Sequence, residues 1–167
     1  MLQDLALGAV RIEAIGRPRT KGSLKPVHRK LGGGRCTVSL TESGEYSKEW
    51  KDTIIRAIRA QCEAVRWQGE VVMDTYHRFE RLCEPDAGLA WPTRGSGEWA
   101  HGDDDKLRRQ DGDALEQAGL IENDRLIVGG HTWKRWCDAG ERPGVVIRVR
   151  PATVADIEAI KRAERGE

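Results

Sequence analysis

Four stretches of the chain alternate apolar and polar residues with a period of two, and this pattern predicts β-strands. In the first stretch, Val10, Ile12 and Ala14 alternate with charged neighbours, so that one face of the strand is apolar. The last two stretches are close in sequence, and we expect them to form a β-hairpin. The four stretches are residues 8–16, 69–79, 125–137 and 144–150.

Three segments instead carry apolar residues at the three- and four-residue spacing of an α-helix. The first, residues 45–66, has the longest apolar face. The second, residues 104–118, is followed by Gly119, a residue type that is common at helix C-termini. The third closes the chain, with Thr153 as its N-cap and Asp156 at its third position. The apolar positions of the first two helices are Trp50, Ile54, Ile58, Cys62 and Val65, and Leu107, Ala114, Leu115 and Ala118.

The order of these elements is β-α-β-α-β-β-α, which predicts an α/β or α+β fold with helices packed on a sheet. At 167 residues the chain is long enough for one domain with its own core. No apolar run is long enough to span a membrane, and the N-terminus lacks the pattern of a signal peptide. We therefore expect a cytoplasmic protein without a membrane partner, whose four cysteines are free thiols.

Two segments between these elements predict loops. Residues 17–35 are basic and rich in glycine and proline, so they should not hold regular structure for long. Residues 81–101 are longer than most loops of compact domains, and loops of that length are usually functional or disordered. Their Trp91 and Trp99 could stack on unpaired bases, or they could pin the loop to the body of the protein.

Charge is distributed unevenly along the sequence. Residues 11–35 carry eight basic residues and one acidic residue, residues 101–124 carry three and eight, and residues 125–150 carry six and two. This order of basic, acidic and basic segments fits a surface that binds a polyanion around an acidic pocket. Solvated charges that cluster without a function would give the same order.

The acidic segment offers three carboxylates to a metal ion. Asp103 and Asp105 are two residues apart, so their side chains share a face only if 103–105 is an extended lead-in to the second helix. Asp124 follows that helix in a tight turn, and it returns to the same place if the helix folds back along the sheet. Three convergent carboxylates suit Mg²⁺ or Mn²⁺, although aspartates at such positions also cap helices.

Other metal sites fit the sequence less well. The segment "DDDKLRRQDGDAL" lacks the oxygen ligand at position five, the glycine at position six and the glutamate at position twelve of an EF-hand. A zinc site drawn from Cys83, His101, His131 and Cys137 would have spacings that match no common ligand pattern.

The acidic segment resembles the central signature of the RusA-type Holliday-junction resolvases, D-x-D-N-x-x-K-x-x-x-D-x-L, then A-G, then a D-D turn. The segment "DDDKLRRQDGDALEQAGLIEND" fits this signature without a gap. Asp103, Asp105 and Asp124 match the family's catalytic metal-binding aspartates, and Asp113 matches its helical aspartate. The segment "GRPRTKGSLKP" is similar to the family's G-x-P-x-x-K-G-R segment at Gly16, Pro18, Lys21 and Gly22.

The resemblance, which covers roughly residues 10–150, implies a homodimeric, Mg²⁺-dependent crossover-junction endonuclease of DNA recombination, repair or phage DNA processing. Such a protein works in the cytoplasm of a bacterium or of a phage-infected host. The implied fold is a mixed sheet of about four strands packed with two to three helices. Residues 1–150 would form the endonuclease domain, and 151–167 a C-terminal helical extension of it.

The resemblance also implies roles for individual residues. Asp103, Asp105 and Asp124 would hold Mg²⁺, or Mn²⁺ in its place, and Lys106 or Arg109 would act on the phosphate. The partner would be branched DNA, a Holliday junction. The residues expected to bind its backbone are Arg17, Arg19, Lys21, Lys25, Arg29 and Lys30.

The acidic segment departs from the family pattern at three positions. Lys106 replaces the family's asparagine, Arg109 its functional lysine, and Asn123 the first aspartate of its D-D turn. Lys106 and Arg109 share a helix face, so either could take the lysine's role, and Arg109 could equally pair with Asp113. Because arginine cannot replace lysine where a proton is exchanged, the alternative function is a structure-specific DNA-binding protein with lost or weak nuclease activity. A metal-binding regulator unrelated to DNA is a third hypothesis.

Overall fold

The computed structural model describes residues 8–20, 24–31, 35–42, 45–62, 66–82, 88–93 and 101–166, with the backbone alone for 24–31, 35–42 and 45. Over these residues a five-stranded mixed sheet, a separate two-stranded sheet and three helices confirm the predicted α/β class. None of the described helices is both long and apolar enough to cross a membrane. The elements are β1 (Val10–Ile15), β2 (Leu24–Leu31), β3 (Arg35–Glu42), α1 (Glu45–Gln61), β4 (Val71–Phe79), α2 (Asp104–Ala118), a 3₁₀ turn (Asp124–Leu126), β5 (Ile127–Gly129), β6 (Thr132–Trp136), β7 (Gly144–Pro151) and α3 (Val154–Arg165).

The central strand of the five-stranded sheet is β4. On one side of it, β7 lies antiparallel with Ile147 opposite Thr75, and β1 is antiparallel to β7 beyond. On the other side, β5 and β6 both run parallel to β4. The prediction of a hairpin between residues 125–137 and 144–150 is therefore wrong, because β4 lies between these two stretches.

Residues 125–137 form two strands rather than one, which brings the sheet to five strands instead of about four. Gly130, with a φ of 109°, separates β5 from β6. A Cβ atom on Gly130 would overlap the carbonyl group of Met73, so only glycine lets the chain pass this close to β4. The pairing with β4 ends at Gly129 and resumes at Thr132. We call this gap the sheet interruption.

The core lies between one face of the sheet and the helices α1 and α2. Alternate residues of β1 and β7 are buried there, as a period of two requires. A fully buried aliphatic side chain contributes roughly 1.5–3 kcal/mol to the free energy of unfolding. The shared core therefore holds α2 on the sheet. The most buried core residues include Ile12, Ile54, Ile58, Met73, Leu115 and Ile147.

The helices begin and end close to their predicted positions. The helix α2 spans the predicted residues and ends at Gly119, whose φ of 83° is left-handed, whereas α1 ends at Gln61, earlier than predicted. The backbone N–H of Thr153 donates to the Asp156 carboxylate at 2.7 Å, as the predicted cap of the last helix requires. Arg150 donates to the same carboxylate at 2.7 and 2.6 Å and lowers the pKa of Asp156.

The prediction that residues 17–35 lack regular structure is wrong. Here β2 pairs with β3 as an antiparallel ribbon, from Leu24 opposite Glu42 to Leu31 opposite Arg35. The segment "RCTVSLTE" of β3 is rich in β-branched residues, which favour strands. Proline is tolerated in β2 because each strand of a two-stranded ribbon has an open edge that needs no donor.

An ion-pair network joins β1, β4, β6 and the segment before β7. Glu141 accepts two hydrogen bonds of 2.6 Å from Arg135, one of 3.1 Å from Arg78 and one of 2.9 Å from the backbone N–H of Asp138. Arg78 also donates to Glu13 of β1 at 2.7 Å. These donors, the Arg135 side chain foremost, lower the pKa of Glu141 to about 2.

The contribution of Glu141 to stability should therefore disappear in acid. Its pKa falls from 4.5 to about 2 on folding, so the contribution is complete above pH 4.5 and is lost as the pH falls towards 2. We expect the difference in urea midpoint between the wild type and Glu141→Gln to be largest above pH 4.5 and to shrink towards pH 2. Glu122→Gln, at an exposed position, is the control. A difference that stays constant over this range would contradict the assignment.

Candidate active site

The start of α2 is held in place by the segment before it. His101 is buried and lies edge-on to Phe79 and to Trp136, with ring centroids 5.1 and 4.9 Å apart. Gly102, with a φ of 73°, approaches Thr20 so closely that a Cβ atom would overlap the threonine side chain. These contacts fix the backbone that leads into the aspartates of α2.

Two of the three aspartates at the start of α2 lack the extended geometry that a shared face of Asp103 and Asp105 requires. Asp103 is the N-cap, with φ −84° and ψ 148°, whereas Asp104 and Asp105 already lie in the first helical turn. The condition for convergence of Asp103 and Asp105, an extended lead-in over 103–105, is therefore met at Asp103 alone. A helix rotates by about 100° per residue, so Asp103 and Asp105 do not share a face as they would on a strand.

Asp103 and Asp104 each form an ion pair with a lysine. Lys106 lies 2.8 Å from the Asp103 carboxylate, and this hydrogen bond lowers the pKa of Asp103 and raises the pKa of Lys106. Asp104 pairs with Lys134 of β6 at 3.0 Å. Exposed pairs of this kind are weak because solvent screens them, so another cation can replace the lysine at little cost.

Asp124 is carried back to α2 by the turn that follows the helix. After Gly119 the chain buries Leu120 and Ile121, and the 3₁₀ turn then begins at Asp124. The backbone N–H of Asp124 donates to Oε2 of Glu116 at 3.1 Å. The turn therefore packs against the helix that precedes it.

Gly112 lets this turn approach the helix. A Cβ atom on Gly112 would lie 3.1 Å from Cδ1 of Ile127 and 3.8 Å from Cβ of Asp124. Glycine inside a helix costs about 1 kcal/mol relative to alanine, and the close approach of the Asp124 segment accounts for its presence. The partner of Gly112 could not be read from the sequence, because the fold alone brings the two segments together.

Asp105 and Asp124 line one open pocket of about 230 Å³, formed by α2, β4 and the start of β5. We call it the acidic pocket. The side chain of Asp105 is 67 % exposed, and Arg109 approaches it at 3.8 Å. No described residue donates a hydrogen bond to the carboxylate of Asp124. The other lining residues are Met73, Arg108, Arg109, Gly112 and Ile127.

The two carboxylates of the acidic pocket have the donor chemistry of a divalent-cation site. Carboxylate oxygens are the hard ligands that Mg²⁺ prefers, and neither carboxylate is held in a close ion pair with a described residue. Asp103 does not line the pocket. Within the described ranges, no three His, Cys, Asp or Glu side chains are grouped so that they could hold a metal ion. The structure thus brings two of the three predicted ligands to one pocket, whereas the Asp103 carboxylate is paired with Lys106 outside it.

Arg108 is a residue of the acidic pocket that the sequence did not mark as functional. Its guanidinium donates to the backbone carbonyls of Met73 at 3.0 Å and Gly129 at 2.7 Å. Burial lowers the pKa of Arg108, and the charges of Asp74 and Asp111 act in the opposite direction. Its acceptors are backbone carbonyls, which every residue type has, so no motif could have identified this contact.

The predicted DNA-binding residues lie in two places. Arg17 and Arg19 precede the ribbon, and the Arg19 guanidinium stacks over the ring of Tyr46 in α1, 5.2 Å from its centroid. Both arginines line a second pocket, of about 200 Å³. Lys25, Arg29 and Lys30 belong to β2, where the backbone alone is described, and Lys21 lies outside the described residues.

The remaining candidates receive little support from the structure. Trp91 is 62 % exposed, as base stacking requires, whereas Trp99 lies outside the described residues. Cys83 of the alternative zinc set also lies outside them. In the same set, His101 is buried and burial raises the pKa of the Cys137 thiol, which disfavours the thiolate that zinc binds.

No protein-family model and no curated protein matches this chain. The function is therefore inferred from the acidic pocket and from the spacing of the aspartates.

Proposed function

We propose that this protein is a divalent-metal-dependent endonuclease that hydrolyses phosphodiester bonds in four-way DNA junctions. It would act as a homodimer, in DNA recombination, repair or phage DNA processing. The observation that carries the proposal is that Asp105 and Asp124, distant in sequence, line one open pocket beside two arginines. Together with Asp103, they have the spacing of the resolvase signature.

Asp105 and Asp124 would hold Mg²⁺ or Mn²⁺, with Asp103 as a third ligand once its carboxylate leaves Lys106. When bound, the ion would supply Lewis acidity at the phosphate and would lower the pKa of a water molecule. Because the pair of Asp103 and Lys106 is exposed, it is weak, and its exchange for a divalent cation requires little free energy. Crowded carboxylates repel one another, and a cation between them relieves that repulsion.

Lys106 and Arg109 would neutralise the phosphate. They are three residues apart on α2 and share a helix face. Once Lys106 is released from Asp103, its ammonium can donate to an oxygen on which negative charge develops in the transition state. Arg109 stays charged and can orient the phosphate through its planar guanidinium. Proton donation would fall to Lys106, because arginine does not exchange its proton.

Branched DNA would be bound outside the acidic pocket by the basic segment. The DNA major groove admits a two-stranded β-ribbon, and β2 with β3 is such a ribbon. Contacts from its basic residues to phosphates would position the protein without reading the sequence. A four-way junction with two-fold symmetry presents two scissile strands, and a C2 homodimer presents two acidic pockets to match.

Junction binding should weaken steeply with salt. Each phosphate contact releases counterions, so the affinity falls along a logarithmic slope set by the number of contacts. Replacing Lys25, Arg29 and Lys30 by alanine should reduce that slope by about one for each residue. The measurement is fluorescence anisotropy of a labelled junction over a series of KCl concentrations without divalent metal. The matched control replaces Lys161, Arg162 and Arg165 of α3, and an equal slope in wild type and in the β2 variant would exclude the phosphate contacts.

The activity itself is tested on a labelled four-way junction with Mg²⁺, beside a linear duplex of the same sequence. We expect paired nicks in opposite strands of the junction, with little cutting of the duplex. Without Mg²⁺ the junction should be bound and remain uncut. Junction binding without cleavage in Mg²⁺ would exclude the endonuclease activity. Equal binding of the junction and the linear duplex would exclude both a junction endonuclease and a junction-specific binding protein.

A structure-specific DNA-binding protein with lost or weak nuclease activity is the second candidate. It is favoured by Arg109 at the position of the family's lysine and by the engagement of Lys106 with Asp103. If neither Lys106 nor Arg109 stabilises the phosphate or donates a proton during cleavage, the protein binds the junction and leaves its strands intact. The same cleavage assay distinguishes this candidate from the first.

A further inference from the structure

Arg108 differs from Arg109, the other basic residue that lines the acidic pocket, because its guanidinium binds the backbone of the sheet. It donates to the carbonyl of Met73 in β4 at 3.0 Å and to that of Gly129 in β5 at 2.7 Å. Both carbonyls lie at the sheet interruption, where the pairing of β4 passes from β5 to β6. One side chain of α2 thus bonds two neighbouring strands at once.

This bridge connects the two segments that carry the carboxylates. On α2, Arg108 follows Asp105 by three residues, so the two share a helix face. Gly129 ends β5, the strand that begins directly after the 3₁₀ turn of Asp124. Hydrogen bonds from an ionised donor are about twice as strong as neutral ones, and the rigid guanidinium fork fixes their direction. Arg108 therefore links the helix that carries Asp105 to the strand that follows Asp124.

We propose that Arg108 is the positioning residue of the metal site, and that by bridging the carbonyls of Met73 and Gly129 it holds Asp105 and Asp124 at the separation that one divalent cation requires. This inference rests on the proposed function, because it concerns the same pocket. Arg108 acts through the backbone and contacts neither the cation nor the DNA.

If Arg108 affected the cation only through its positive charge, replacing it would change cation binding in the opposite direction from loss of the positioning contact. Removal of the charge would lower the repulsion of the cation and strengthen binding. Removal of a positioning contact would weaken binding, because the carboxylates would no longer be held together. Loss of the groups that support metal ligands lowers metal affinity about 10–100-fold. The sign of the change in affinity therefore distinguishes the two roles.

The experiment measures the affinity of the full chain for Mn²⁺ without DNA, from the electron paramagnetic resonance signal of the free ion. Arg108→Met should weaken Mn²⁺ binding about tenfold or more. Arg109→Met is the matched control, because it removes the adjacent guanidinium of the same pocket, which only approaches Asp105 at 3.8 Å. Its affinity for Mn²⁺ should stay the same or increase.

Arg108→Lys keeps the charge without the guanidinium fork, and it should also bind Mn²⁺ more weakly than the wild type. Thermal unfolding without metal shows whether each variant folds. If Arg108→Met does not fold, the Mn²⁺ affinity of Arg108→Lys decides the outcome. Wild-type or tighter binding in the folded Arg108 variants would overturn the positioning role and leave the metal site standing. A wild-type protein that fails to bind Mn²⁺ would overturn the metal site, and the role of Arg108 with it.

Discussion

Replacing Asp124 with asparagine is expected to abolish junction cleavage and to leave junction binding intact. Asparagine keeps the size of the side chain and removes its charge, so the acidic pocket would lose one of its two carboxylates. Removing one oxyanion-hole donor from an enzyme slows catalysis by about 10²–10³-fold, and we expect at least this loss when a metal ligand is removed. The side chain of Asp124 is exposed, so the free energy of unfolding should change by only about 0.5 kcal/mol.

Asp105→Asn should have the same effect, because the two carboxylates serve one cation. The matched control is Glu122→Gln, which neutralises an exposed carboxylate two residues before Asp124 and should cut like the wild type. Cleavage rates on the labelled junction in Mg²⁺, with binding measured without metal, give both readouts. Full activity in Asp124→Asn would show that Asp124 is not a metal ligand needed for cleavage. Loss of folding would show that Asp124 has a structural role.

The second large effect concerns the buried pair of His77 and Asp111. Nε2 of His77 lies 2.9 Å from Oδ2 of Asp111, and both side chains are fully buried between β4 and α2. His77→Leu would leave a buried carboxylate without its partner, which costs about 3–5 kcal/mol. For a domain of this size the melting temperature should fall by roughly 10 °C. Urea and thermal unfolding measure both quantities.

The double variant His77→Leu with Asp111→Leu tests the cause of this loss. Replacing both partners of a buried pair by apolar residues is often close to neutral, so we expect the double variant to recover much of the stability lost in His77→Leu. A double variant less stable than His77→Leu would mean that space and packing, rather than the unpaired carboxylate, set the cost.

The helix α2 could be predicted because its signals are local. Apolar residues at helical spacing, acidic residues in the first turn and Gly119 after the last turn are all adjacent in the chain. The cap at Thr153 was predictable for the same reason, since its partner Asp156 is three residues away. Such patterns state which residues share a face, and the burial of Leu107, Ala114 and Leu115 in α2 agrees with them.

The pairing of strands could not be predicted, because it depends on contacts between distant segments. Residues 125–137 and 144–150 have the alternating pattern of a β-hairpin, yet β4 lies between β6 and β7 in the sheet. Only the tight passage of Gly130 over Met73 separates β5 from β6. The strand β2 was missed because it lies in a segment with glycine and proline, which usually mark loops.

The candidate site could be predicted in part. Motif spacing identified Asp105 and Asp124, and the fold brings them to one pocket. The position of Asp103 outside the pocket could not be predicted, because one residue decides whether the helix has begun and which way its side chains point. Arg108 was missed because its partners are two backbone carbonyls from different strands.

The most direct test of the metal site is a crystal structure of the protein soaked in MnCl₂, with the ion located by its anomalous scattering. We expect one Mn²⁺ in the acidic pocket, with carboxylate oxygens of Asp105 and Asp124 at about 2.1 Å and the Asp103 carboxylate turned from Lys106 towards the ion. Carboxylates of Asp105 and Asp124 that point apart, with no anomalous peak between them, would contradict the proposal.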